Sequence, residues 1–381
     1  MLPEIVRRVE TVRFGPFVFQ VGADHDALAL PLQRVIDAQE RFRVSPLSEV
    51  ASRLEPEVLV SSVFGTNRIE AGKLTEEETA TALELSPEQV ESIEQRRVTN
   101  IRKAYVLANR SLAPGWRLTV DFIRTVHAAV TEDLPHVDNR PGVFRNNQRG
   151  YETYVGDAAH GGRYKPPQSG SDIELLLSVL VSWHEELAAG GIPALIRAPL
   201  LHLYYEQIHP FYDGNGRVGR ILEASVLHAA GFRYAPFAMA SYYLDRIDAY
   251  FTLFNTCRKS ADNRRPNPNT PFLLFHLEGM LGTINHLHDR VNDLVRDLLL
   301  RNLLSRFREG KDINARQHAI VSHVLERGPL SLDELRRSPW YVALYEKKSD
   351  KTRLRDLRKL YDLELLHLDR QKMLRLGSGE G

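Results

Sequence analysis

The chain has few of the residues that usually reveal a protein's chemistry. Among 381 residues there is one cysteine, Cys257, which excludes an internal disulfide and any cysteine-rich zinc site. Lone cysteines are most often small buried apolar residues, so Cys257 is expected in the core and not as a reactive thiol. No apolar run reaches the ~18 residues of a membrane helix, so no membrane partner is expected. The opening stretch MLPEIVRRVE is charged and lacks an apolar signal core, which points to the cytoplasm. A formal net charge of +1 excludes a globally basic nucleic-acid binder. The 14 histidines fall in no HExxH-type metal pattern.

What the chain does have is a dense twelve-residue run, HPFYDGNGRVGR, at residues 209–220. Before it, Leu200, Leu201, Tyr204 and Ile208 fall at helical spacing, predicting a helix that ends near His209. Pro210 and the Gly214-Asn215-Gly216 triplet break the pattern, and Val218, Ile221, Leu222 and Ser225 resume it. The run is therefore a loop entering a second helix. Gly214 and Gly216 allow close backbone approach, and the unpaired amides at the helix start make the turn an anion cradle. Arg217 and Arg220, three apart, can reach one phosphate chain. Asp213 is suited to hold a hard cation against those phosphates. His209 is the one group in the run whose ordinary pKa is near neutrality, and so the natural general base. Phe211 reads as an apolar anchor for the loop, and His202, seven residues before His209, as a packing or hydrogen-bonding residue.

This string resembles the Fic signature HxFx(D/E)GNGRxxR at every fixed position. The resemblance implies a mainly α fold, a Fic-type helical core with a small β-hairpin flap, and transfer of AMP from ATP to a hydroxyl side chain of a target protein. It implies that His209 deprotonates the attacking hydroxyl and that Asp213 binds Mg2+. Asn215 and the neighbouring amides, Gly214 and Gly216 among them, would hold the α- and β-phosphates. Arg217 would support the leaving pyrophosphate and Arg220 the γ-phosphate. Such chemistry is mostly positioning and charge stabilisation.

Upstream, Thr66-Asn67-Arg68-Ile69-Glu70 resembles the family's inhibitory motif (S/T)xxxE(G/N), departing from it at Ala71, with Gly72 next. By that resemblance Glu70 pairs with Arg220, displaces it from the γ-phosphate and restrains transfer from within the same chain. Removal of AMP by a water that the glutamate positions is the reverse activity known in such enzymes. In residues 141–168, glycines and prolines bracket a β-prone piece around Tyr154 and Val155, a candidate hairpin. In Fic enzymes a flap there aligns the target by strand addition, and Arg145 with residues 153–157 are the expected flap residues.

The chain divides by pattern into an N-terminal helical region (1–110) carrying the inhibitory helix, a Fic core (111–258), a helical linker (259–308) and a C-terminal domain (309–381). Phe272 to Arg308 reads as one or two long helices, offering a surface for a homodimer or for packing within the chain. The last part gives an amphipathic helix, a short second helix, a longer third and two extended pieces, an order that resembles a winged helix-turn-helix domain. From Lys347 to Lys359 the third helix has seven basic and two acidic residues. There Lys351, Arg353, Arg355 and Arg358 could meet DNA phosphates or base edges, the alternative being a protein-interaction module. Two functional classes follow: an autoinhibited protein adenylyltransferase acting on Tyr, Thr or Ser, and a DNA-binding regulator whose Fic domain senses nucleotide. An intact His209, Asp213, Asn215, Arg217 and Arg220 favour the first.

Overall fold

In the computed structural model, which describes residues 3–44, 50, 52–112 and 115–377, the chain forms two compact units, 1–288 and 289–381. No helix among the described residues is long and apolar enough to cross a membrane.

The first unit opens with an antiparallel hairpin of β1 (Arg7–Glu10) and β2 (Pro16–Phe19), in register Arg7 to Phe19. Its signal is short: the alternation in Phe17-Val18-Phe19 after Gly15-Pro16 puts two rings inward. Phe19 stacks near Trp183 and Tyr204. The expected N-terminal helical region thus begins with strands. Helices follow: α1 (His25–Val44), α2 (Glu55–Ile69), α3 (Glu76–Leu83), α4 (Ile93–Ser111), α5 (Val120–Thr131) and α6 (Gly170–Ala189). Their starts are chemically marked. Thr75 with Glu78, and Ser92 with Gln95, form capping boxes, and Thr119 and Ser169 cap α5 and α6 through their side chains.

At the centre lie α7 (Ala194–Ile208) and α8 (Asn215–Ala229), packed on each other and buried on nearly every face. Such all-round burial is what an apolar run such as ALIRAPLLHLYY can support. The spacing of apolar residues predicts α7 only from Leu200, because Pro199 lacks the amide of a helix interior. The helix nonetheless starts at Ala194 and carries Pro199 inside it, fully enclosed by the core. Helices α9 (Ala235–Asp245) and α10 (Ile247–Asp262) complete the cluster. In this unit α2 lies against α9: Ser61 and Ser241 hydroxyls are 2.9 Å apart, and Ser62 donates to the Phe237 carbonyl while its oxygen lies 2.9 Å from the Tyr105 hydroxyl. Cys257 is buried, as its solitary occurrence suggested.

Helix α11 is a single run, Thr270–Glu309. The second unit contains α12 (Ala315–Arg327), β3 (Leu330–Ser331), α13 (Leu332–Arg337), α14 (Pro339–Leu344), α15 (Asp350–Asp362), β4 (Leu366–Leu368) and β5 (Met373–Leu376). Its antiparallel sheet has the order β3-β5-β4. The core includes Ile320, Val324, Leu335, Tyr341, Leu360 and Leu374. The basic helix begins at Asp350, just after Ser349, and α14 is an element that the sequence pattern did not separate.

One acidic residue of that basic helix has a structural task. Asp356 is buried, accepts from Arg316 Nε and the Tyr345 hydroxyl, each at 2.9 Å, and faces Asn314 Nδ2 at 3.3 Å. Removing it leaves the buried Tyr345 hydroxyl and the partly exposed Arg316 guanidinium without their acceptor. Asp356→Ala is expected to destabilise the second unit by about 2 kcal/mol, measured by urea unfolding, whereas Lys351→Ala on the exposed face should change little.

Candidate active site

The site is assembled where α7 stops and α8 starts. His209 leaves α7 in the left-handed region (φ 49°, ψ 63°), with its amide donating to the Tyr205 carbonyl at 2.9 Å. A residue with a Cβ seldom adopts that conformation unless its surroundings hold it there. Arg145 does so. Its Nε donates to the His209 carbonyl at 2.6 Å, its Nη2 to the Pro167 carbonyl and, at 3.3 Å, to that of Ile208, and its own amide to the Pro210 carbonyl at 2.9 Å. The expectation of Arg145 as a flap residue is corrected accordingly: its side chain is fully buried and grips the loop that carries His209. Burial pushes its guanidinium down to about 10, so it stays charged at neutral pH.

The loop is locked from two further sides. The Asn215 side chain accepts from the Phe211 amide at 3.0 Å and donates to the Phe211 carbonyl at 2.8 Å. This brace fixes the side-chain amide in place with one Nδ2 hydrogen still free of it, and the residue's backbone N–H lies on the first turn of α8. Phe211 is wholly buried, stacked on His127 with ring centroids 3.5 Å apart. Gly142 N–H donates to His127 Nδ1 at 2.9 Å, which leaves Nε2 to carry the proton and donate to the Asp213 carbonyl at 3.0 Å. Burial, aided by the charge of Arg217, lowers the His127 pKa to about 4.

At the start of α8, Gly214 takes φ 83°, a left-handed turn that brings the first amides of the helix to the surface of the loop. A Cβ on Gly216 would lie 2.2 Å from Glu70 Oε1 and 3.2 Å from Arg220 Nη1. Only glycine leaves room there, and the space is taken by the Glu70 carboxylate, an anion at a helix N-terminus. Arg217 is buried, its Nη2 donating to both Asp213 oxygens at 2.9 and 3.0 Å, while its buried Nε and Nη1 have no hydrogen-bond partner among the described residues. That unsatisfied edge suits phosphate oxygens. Burial raises the Asp213 pKa, but Arg217 and the Gly214 amide outweigh it and keep the carboxylate ionised.

Arg220 is also buried, and α2 meets it with three groups: the Thr66 hydroxyl takes Nε at 2.5 Å, the Thr66 carbonyl takes Nη2 at 3.2 Å, and Glu70 Oε1 takes Nη2 at 2.8 Å. The first and last positions of the (S/T)xxxE pattern thus act on one guanidinium. Tyr250 accepts from Nη1 at 3.4 Å. Burial disfavours the charge on Arg220, yet Tyr250 and Glu70 together raise its pKa above the ordinary arginine value. Helix α2 stops at Ile69, and Ala71 follows in the left-handed region at φ 60°, the conformation that Gly or Asn would supply at this place in the motif.

Glu70, His209, Gly216 and Arg220 line one cavity of about 300 Å3, together with Tyr250, Phe251, Phe254, Asn255 and Val155. Asp213 and Gly214 in the adjoining loop, and Asn215 and Arg217 on the first turn of α8, are not part of its wall. Opposite the helices is a hairpin-like turn in which Val155 and Tyr164 exchange backbone hydrogen bonds of 2.8 Å. Asn255 donates to the His160 and Gly162 carbonyls at 3.0 and 2.8 Å, tying this turn to α10.

Sequence reasoning missed Glu206. Its Oε2 is 3.5 Å from His209 Nδ1. Burial pushes this carboxyl up, but His209, His202 and Arg220 together hold it below its usual range. The available signal was a carboxylate three residues before the base, on the last turn of the same helix. No group of three or more potential metal ligands occurs among the described residues, so a bound cation here would rely on one carboxylate and its ligand's oxygens.

His127 gives a pH test. Its pKa is lower folded than unfolded, so its contribution to stability is complete above about pH 6.5 and is lost as pH falls toward 4, by up to about 3 kcal/mol. The melting temperature should fall across that window, and NMR titration of the His127 ring should find it neutral down to about pH 5. A ring that titrates near 6.5 would contradict the assignment.

Residues 117–227 match the model of the Fic/DOC family. Curated proteins named Protein adenylyltransferase Fic are similar to this chain. That of Drosophila ananassae is 29% identical over 188 residues, 49% of this chain and 35% of that one, and that of Drosophila willistoni 29% over 203 residues, 52% and 38%. The chain therefore spans little more than a third of those relatives. Among solved structures, a Fic family protein from Desulfovibrio desulfuricans G20 superposes with a TM-score of 0.56 at 17% identity, covering 93% of this chain and 97% of that one. A Fic domain containing signaling protein from Bacteroides thetaiotaomicron VPI-5482 gives a TM-score of 0.57 at 19% identity over 69% and 97%. The chain carries a Fic domain and has the mainly helical fold of Fic family proteins.

Proposed function

We propose that this chain is a protein adenylyltransferase, moving AMP from ATP to a hydroxyl of a target protein, and that Glu70 restrains it. The observation that carries the reading is the seat at Gly216 and Arg220: a glycine-lined helix start with two buried arginines, occupied by a carboxylate of the same chain. Names of relatives support AMP as the group transferred.

In this reading the nucleotide lies in the cavity between the flap and α10, with its phosphates on the first amides of α8 at Gly214, Asn215 and Gly216. The open edge of Arg217 and the guanidinium of Arg220 neutralise the phosphate charge. His209 takes the proton from the acceptor hydroxyl as oxygen attacks the α-phosphorus, and Glu206 steadies the imidazole that forms its positive charge. The backbone of residues 153–157 offers the acceptor segment an edge to pair with. Asp213, ionised and one-third exposed, fits a Mg2+ held by one carboxylate with phosphates as its other ligands. Such an ion would neutralise phosphate charge.

Glu70 restrains the reaction in two ways at once. It puts a negative charge where a phosphate must go, and it turns Arg220 toward α2. Removal of AMP through a water beside Glu70 belongs to the same proposal. The helix, strand and hairpin order of the second unit supports a winged-helix role in localisation or target recognition, with residues 347–359 as its basic face.

With α-labelled ATP and Mg2+, Glu70→Gly should label itself or lysate proteins at least about tenfold faster than the wild type, a barrier change of about 1.4 kcal/mol. Adding His209→Ala should abolish the signal. A Glu70→Gly protein that binds ATP and transfers nothing would overturn the proposal.

A further inference from the structure

Arg220 has a further contact, from outside α2, that belongs to a buried polar chain which the catalytic reading leaves unused. Tyr250 accepts from Arg220 Nη1 at 3.4 Å, and its oxygen lies 3.0 Å from His202 Nε2. His202 Nδ1 lies 2.6 Å from Glu223 Oε2, and the other Glu223 oxygen accepts from the Tyr243 hydroxyl at 2.6 Å. Tyr250, His202, Glu223 and Tyr243 are all buried.

One assignment gives each atom of this chain a partner. His202 is neutral with its proton on Nδ1, which donates to Glu223 Oε2. His202 Nε2 then accepts from the Tyr250 hydroxyl, and the tyrosine's lone pairs face Arg220. The Tyr250 hydroxyl is thereby fixed as an acceptor directed at the guanidinium. Its ring is held too, stacked on Tyr243 at a centroid distance of 4.6 Å and an interplanar angle of 16°. Rigid support of this sort, three residues deep, is more than packing requires.

The consequence appears when α2 lets go. Three of the four hydrogen bonds to Arg220 come from Thr66 and Glu70. When Glu70 alone is lost, the two Thr66 bonds persist on Nε and Nη2, and Tyr250 is the partner of Nη1 and the one from outside α2 among the described residues. We propose that Tyr250, aimed by His202 and Glu223, is a positioning residue that holds Arg220 at the cavity wall once Glu70 has released it, so that the guanidinium meets the far end of the phosphate chain. This rests on the adenylyltransferase reading for the identity of the ligand, though not for the tether itself.

The test uses the full chain in the Glu70→Gly background, with Tyr250→Phe, which removes one oxygen and keeps the ring stack. Calorimetric titration should find ATP binding about tenfold weaker in Glu70→Gly with Tyr250→Phe than in Glu70→Gly alone, and AMP binding within about twofold. A second arm is independent of nucleotide: in a double-mutant cycle of Tyr250→Phe with Arg220→Met, followed by urea unfolding, the two should be coupled by about tenfold in the unfolding constant. Loss of ATP and AMP binding together, or unchanged ATP binding, overturns the proposal, as does additivity in the cycle. Should Glu70→Gly bind ATP without transferring label, the adenylyltransferase reading fails and the tether stands or falls on the cycle.

Discussion

A guanidinium buried in a helical core must have an anion beside it, and Arg220 is such a group. It lies on the first turns of α8, almost without exposure, where desolvation costs several kcal/mol unless a negative charge repays it. Glu70 supplies that charge from α2. The rest of the site follows from this requirement: the carboxylate needs space over the helix start, so residue 216 is glycine, and α2 must end there, so the chain turns sharply at Ala71. A phosphate can satisfy the same requirement. Two anions competing for one arginine is a switch built from ordinary electrostatics.

His209 is held by different means. His209 occupies a strained backbone position because Arg145 binds the carbonyls of residues 208 and 209, and Asn215 fastens the turn behind it. Strain of that kind persists only where the surroundings over-determine it. A loop fixed from three sides keeps the imidazole, the glycine turn and the arginines in register without help from a ligand, which is how a site lowers the entropic cost of catalysis.

Much of this was legible in the sequence, and the limits are instructive. The motif at 209–220 declared a loop between two helices, and the apolar spacing around it gave α8 nearly to its ends and α7 from Leu200 onward. Thr66 and Glu70 could be placed opposite Arg220 by resemblance alone. The chain's local pattern could not show Arg145 as a buried clamp, because its partners are carbonyls 63 to 64 positions away that carry no side-chain signature. His127, His202 and Glu223 were opaque for the same reason: their partners come from distant segments, and a histidine on an apolar helix face reads as packing. The hairpin at β1 and β2 was short enough to be lost within a helical neighbourhood, and Pro199 disguised the first turns of α7.

The central claim is that Glu70 and a phosphate chain use one seat on Arg220. Calorimetric binding of inorganic triphosphate to the wild type, to Glu70→Gln and to Glu70→Gln with Arg220→Met tests it without relying on any reaction. The account predicts at least about tenfold tighter binding to Glu70→Gln than to the wild type, and loss of that gain when Arg220 is also replaced. Equal affinity in the wild type and Glu70→Gln would contradict it.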